Sequence, residues 1–275
     1  MRRQPVTATL VALVATAAVT AAMAAGVPLV GGTRASTEGC RAAEPDSKDA
    51  ERPLWVVLAG HNGSDADDVD AHLAHLRSVV VPAAAAVSAR LVVALIEADS
   101  DREPRVVADV RVGASGPAAD NDEVQRRAVE AATKKVDGCL SDALDEPAAP
   151  RSDPFGAVTW ASTVMSTTPS SARHLVLLSD AVSTTASCNL SGRDLRPEAR
   201  PALLAECTPG PADGLEGATA WLAGVGRGAG TDPAPGSIGE QALTPSVLIE
   251  LWQEFFVAHG ARLTRAGVTL LPGTG

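Results

Sequence analysis

An apolar run, Leu54-Trp55-Val56-Val57-Leu58, leads through Ala59 into a short polar loop, Gly60-His61-Asn62-Gly63-Ser64, and then into Asp65, Asp67, Asp68 and Asp70. A brief unbroken run rich in β-branched residues predicts a strand buried on both faces. In an open α/β sheet, the loop at the carboxyl end of such a strand is where ligands are met. His61 in this loop could serve as a base or a metal ligand, and with Asp180 at another strand end it would suit a hydrolase. No Ser or Cys stands in a recognisable nucleophile elbow to support that chemistry. His72 and His75 share one helix face by their spacing and could form a metal pair. No Cys or Glu is fixed beside them, and an exposed helix face is the expectation. The four aspartates lack the central Gly and distal Glu of a calcium loop and suit the positive end of a helix dipole. Gly224-x-Gly226-x-x-Ala229 has loose dinucleotide-type spacing, but Thr231-Asp232-Pro233 cannot open the helix that site requires, so it reads as a strand-exit loop.

Composition bounds the classes. The chain has 275 residues, 45% of them hydrophobic, only 3% aromatic and none Tyr, so Ala, Val and Leu must fill the core. The formal net charge is −10, which repels phosphate and excludes a nucleic-acid role. Residues 1–30 read as a targeting segment: Arg2 and Arg3, then no charged residue over 6–30, with Ala22-Met23-Ala24 as a small-x-small cleavage site. The uncharged stretch is also long enough to remain as an uncleaved membrane anchor. Either way the positive residues precede it, and the rest is expected outside the cytoplasm. Four cysteines in an exported chain suggest disulfides, with three possible pairings. Cys188–Cys207, which would close one loop, and Cys40–Cys139 are favoured.

The elements that must position these residues follow from periodicity. A polar linker covers 31–51 and a single domain 52–275. Strands are expected at 54–58, 90–96, 106–112, 173–178, 218–226 and 268–271. The second and third form an antiparallel hairpin with the third at an edge. Helices are expected at 65–78, broken or restarted at Pro82, then at 123–144, from Pro154 to about Met165, and at 245–259. Asp153 is the N-cap of the third and Gly260 closes the last. Residues 183–216, rich in Pro, Gly and Ser, read as one long stapled loop. Trp252, Phe255 and Phe256 read as core. The sum is a doubly wound α/β domain: a mostly parallel six-stranded sheet with one antiparallel edge strand and helices on both faces.

That order resembles the von Willebrand factor A (VWA) domain over about residues 52–272. The family's first strand ends in Asp-x-Ser-x-Ser, part of a metal-ion-dependent adhesion site; here the matching residues are Gly60-x-Asn62-x-Ser64. The family places a Thr before its third helix in a pattern like Thr-Asp-Leu-x-x-Ala-Leu, matched by Ser152-Asp153-Pro154-Phe155-Gly156-Ala157-Val158. Its fourth strand ends in Thr-Asp-Gly, here Ser179-Asp180-Ala181, and its fifth commonly in Gly-Val-Gly, here Gly224-Val225-Gly226. The resemblance implies a ligand-binding surface, and a metal set, of Asn62, Ser64, Ser152 and Asp180. Gly60 replaces the carboxylate that a hard cation wants, so the site is degenerate: no cofactor, or weakly bound magnesium or calcium.

The expected function is a non-catalytic, extracytoplasmic binding module for another protein or a cell-envelope component. The alternatives are a hydrolase using His61 and Asp180, or a small-solute binder in the same crevice.

Overall fold

The computed structural model describes Cys40 and residues 51–60, 68–97, 103–114, 121–144, 151–227 and 243–267. All of them fall in the unit Ser36–Gly275. The strands are β1 (Leu54–Ala59), β2 (Arg90–Leu95), β3 (Arg105–Arg111), β4 (Arg173–Leu178), β5 (Thr219–Ala223) and β6 (Arg262–Gly267). They form one sheet in the order β3-β2-β1-β4-β5-β6, in which only β3 runs antiparallel. The chain starts at the centre, builds outward to β3, then crosses back past β1 to build the other half. The switch point therefore lies between β1 and β4, where such sheets open a crevice at their carboxyl ends.

The helices are α1 (Val69–His75), α2 (Val81–Ala86), α3 (Asp122–Leu144), α4 (Pro154–Thr167), α5 (Arg200–Cys207) and α6 (Pro245–Ala258). Alternate residues of the central strands feed two cores. On one face Val56, Leu58, Leu175, Leu177 and Leu222 pack with Phe155 and Met165 of α4, Leu203 of α5, and Leu251, Trp252, Phe255 and Phe256 of α6. On the other, Trp55, Val57, Leu91, Val93, Val176 and Leu178 pack with Leu73, Leu76, Val80, Ala84, Val136 and Leu140 from α1 to α3.

Local chemistry accounts for the element ends. The Asp153 side chain accepts from the Gly156 N–H and Pro154 occupies the first turn of α4, the cap expected there. Gly260, at φ +72°, ends α6 in a conformation other residues rarely adopt. Cys40–Cys139 and Cys188–Cys207 are the disulfides, the favoured pairing.

The helix restarts at Pro82, one of the two outcomes expected there: a wide π turn over Leu76–Val80 joins α1 to α2, and Pro82 sits in the first turn of α2. Two expectations need correction. His72 and His75 are not on an exposed face; both are buried. His72 lies three residues after Val69 and four before Leu76, inside the apolar stripe itself. The stretch 183–216 is not one loop, because it contains α5 and a 3₁₀ turn at Asp213–Leu215. The expected strand at 268–271 lies outside the described residues; among the described residues the last strand is Arg262–Gly267, polar as an edge strand can be and paired to β5 from Thr219↔Arg262 on.

Candidate functional site

The junction at the switch point is built by backbone. The Gly60 N–H donates to the Leu178 carbonyl at 2.8 Å, locking the end of β1 to the end of β4. Ser152 arrives from another direction: the Asp153 N–H donates to the Glu97 carbonyl at 3.1 Å, tying the start of α4 to the end of β2. The segment after β4 is bound to that start twice. The Thr184 N–H donates to the Ser152 carbonyl at 3.0 Å, and the Ser152 N–H donates to Thr184 Oγ1 at 2.9 Å. The Gly226 N–H, just beyond β5, donates to the Asp180 carbonyl at 2.8 Å. Segments from four strand ends thus converge on one rim.

Asp180 and Ser152 are both fully buried there. Asp180 Oδ1 accepts from the Val182 N–H at 2.9 Å, and Ser179 Oγ lies 3.4 Å from the same oxygen. The carboxylate braces its own turn. Ala181 between them holds φ +63°, the left-handed region that disfavours a side chain. Its carbonyl accepts the indole N–H of Trp252 at 3.0 Å, which pins the strained residue to α6. The Ser183 hydroxyl donates to the Cys188 carbonyl at 2.6 Å, and the Cys188–Cys207 disulfide fastens the loop to the end of α5. Ser152 Oγ is the exception: it is buried and has no hydrogen-bond partner among the described residues.

The other half of the rim carries charge. Asp68, at the head of α1, accepts from Nε and Nη2 of Arg227 at 3.0 and 2.7 Å. His72 lies beneath this pair. Burial pushes its imidazole down to about 4, although the Gly60 backbone and Asp68 favour the charged form. Neither ring nitrogen has a partner of ordinary hydrogen-bond geometry. Burial also lowers His75 and His174. The apolar spacing around His72 was the available signal for its burial. Nothing in the sequence pairs Asp68 with Arg227, which are 159 residues apart.

Of the residues singled out from sequence, Ser152 and Asp180 thus stand at one rim, whereas His61, Asn62 and Ser64 lie outside the described residues. The two described donors fit a hard cation poorly. The set has one carboxylate, already engaged with a backbone N–H, and one orphaned hydroxyl. Among the described residues no group of three His, Cys, Asp or Glu side chains could hold a metal ion. Among them also, no helix is long and apolar enough to cross a membrane.

No family model matches the chain, and no curated protein matches it. Solved structures are similar to it at low identity. A von Willebrand factor type A structure from Catenulispora acidiphila is 15% identical, with a TM-score of 0.40 over 79% of this chain and 39% of that one. The D319A mutant of the PilB minor pilin from Streptococcus sanguinis is 10% identical, with a TM-score of 0.44 over 83% of this chain and 59% of that one. Proximal thread matrix protein 1 of the mussel byssus is 11% identical, with a TM-score of 0.32 over 63% and 38%. The chain spans less than two thirds of the length of each. Likeness at this level carries no conclusion about activity; the doubly wound class rests on the strand order itself.

Proposed function

We propose that the chain is a non-catalytic, extracytoplasmic binding module resembling a VWA domain, meeting another protein or a cell-envelope component with the loops at the carboxyl rim of its sheet. The supporting observation is the cross-bonded junction of Ser152, Thr184, Asp180 and Gly226, which holds loops from separate strands in one fixed surface. A buried carboxylate that braces a turn suits a scaffold for contact better than a proton-transferring acid, which must reach its substrate. Two disulfides suit an oxidising compartment and agree with the leader-like residues 1–30. Of the four residues expected to bind, Asn62 and Ser64 belong to the loop proposed to make contact, while buried Ser152 and Asp180 brace that rim from within. Contact relies on loop shape and hydrogen bonds, with magnesium or calcium bound weakly or not at all.

The test is site-specific crosslinking on the envelope of producing cells, with a photoreactive residue at exposed Ala186 in the loop after β4 or at exposed Lys135 on α3. A discrete adduct from position 186 alone is the expected result. Equal adducts from both positions, or none from either, would refute rim recognition. Calorimetric titration with magnesium, manganese and calcium accompanies it, and strong binding of any of the three would overturn the metal-independent version.

A further inference from the structure

The sheet has two edges, and they are finished differently. At β3 the Asp109 N–H donates to the Cys40 carbonyl at 2.7 Å, and Cys40 is bonded covalently to α3 through Cys139. The upstream chain therefore seals part of that edge. At the opposite end β6 is last in the order, and among the described residues no strand lies on its far side. Arg262, Thr264, Arg265 and Ala266 are all exposed along it.

The register of β6 is the informative detail. Thr219 pairs with Arg262 and Ala220 with Leu263, but Trp221 then pairs with Arg265. Thr264 is the extra residue of a bulge, and its hydroxyl donates to the Ala220 carbonyl at 3.3 Å. In a regular strand, residues three apart point to opposite faces. The bulge returns Arg265 to the face of Arg262, which is the face bearing Trp221. The Arg265 guanidinium carbon lies 4.8 Å from the centre of the Trp221 ring, a cation–π contact that holds the side chain in place. Among the described residues no ion pair engages either guanidinium. On a chain of net charge −10, an open backbone edge thus carries two unpaired cations in a row on one side.

We infer that β6 is a docking edge for an extended acidic segment of a partner protein, which adds to the sheet as a further strand and sets alternate carboxylates against Arg262 and Arg265. Main-chain hydrogen bonds would supply affinity, and the guanidiniums would supply the choice of sequence. The same charges exclude a second copy. A symmetric antiparallel β6–β6 pair would put arginines of one copy on the same face as those of the other, where like charges repel. Edge cations keep neutral and basic strands away; an acidic strand reverses the sign. This surface is separate from the rim loops, and its fate does not depend on the rim reading.

The experiment uses the full chain and a capped, fluorescent peptide alternating Glu and Thr, matched to the six residues of β6. A Lys-Thr peptide of the same length is the control. Polarisation should report binding of the acidic peptide alone, weakening with salt, and amide exchange should slow along β6. Arg262→Glu should weaken binding about tenfold, the size of one lost charge-assisted contact, while Arg262→Lys should retain most of it. Arg262 is exposed, so neither substitution should disturb folding, and circular dichroism of both checks this. Arg265→Gln provides a second, independent loss. Equal binding of the Lys-Thr peptide, full affinity in Arg262→Glu, or no binding of the acidic peptide at millimolar concentration would each overturn the inference. So would a dimer that the peptide dissociates, because the edge would then belong to a second copy.

Discussion

The two faces of the sheet are packed with different chemistry. On the α4–α6 face, Phe155 stacks on Trp252 at 4.3 Å and 11°, and Phe255 and Phe256 complete an aromatic block. The Trp252 indole N–H has its partner in the Ala181 carbonyl. On the α1–α3 face the filling is Ala, Val and Leu, interrupted by imidazoles. His72 and His75 are buried, and His174 stacks on Trp55 at 4.5 Å. Among the described residues, Trp55 Nε1, both nitrogens of His72, and Nδ1 of His75 and His174 find no partner of ordinary hydrogen-bond geometry. The aromatic block is therefore held by shape and one satisfied indole, while the other face holds imidazoles that remain neutral only while the pH allows. The contribution of the aromatic block to stability should be insensitive to acid and that of the imidazoles sensitive.

The largest test strikes the aromatic block. Phe155→Ala should cost about 3–5 kcal/mol by opening a cavity beneath Trp252, and urea unfolding should find the same loss at pH 5 and pH 7. A loss that varied strongly with pH would merge the two faces.

The next test titrates the imidazoles. The His72 imidazole is held near 4, against 6.5 when unfolded. The unfolded chain thus binds more protons between these values, and stability is fully present above pH 6.5 and lost as the pH falls toward 4. The loss is at most about 3 kcal/mol from this group, with His75 and His174 adding in the same direction. His72→Leu should flatten the decline between pH 6.5 and 5, above the range where most carboxylates titrate. An unchanged slope in that variant would remove His72 from the account.

The smallest test concerns the hinge between the aromatic face and the rim. Ala181→Gly relieves a left-handed alanine but frees the unfolded chain, so the net gain should be about 0.5 kcal/mol. Thermal melting would show it, and a loss above about 1 kcal/mol would mean that the buried methyl matters more than the strain.

Central features were legible in sequence because burial on both faces leaves an uninterrupted apolar signature. Residues 54–58 and 173–178 were read as strands for that reason, and the Asp153-Pro154 start of α4 for its cap chemistry. The features that escaped were set by tertiary context. α5 lies between breakers and owes its place to Arg200, buried against the Leu195 carbonyl and paired with Glu250 and Glu254 of α6. β6 is polar because it is an edge. His72 resembled a surface residue by type and a core residue only by position. In the candidate site, Ser152 and Asp180 were recognised through family-like motifs, which locate a residue but do not say whether it is reachable. Both are buried, and the turn at Ala181 gave no warning in composition.

The Cys40–Cys139 bond, between cysteines 99 positions apart, closes a covalent ring around β1, β2, β3 and most of α3. A pull between the two termini would travel from Cys40 straight across sulfur to Cys139. Residues 41–138 would bear none of that tension and could not lengthen until the bond was reduced. Under load the molecule would therefore yield first in its later half.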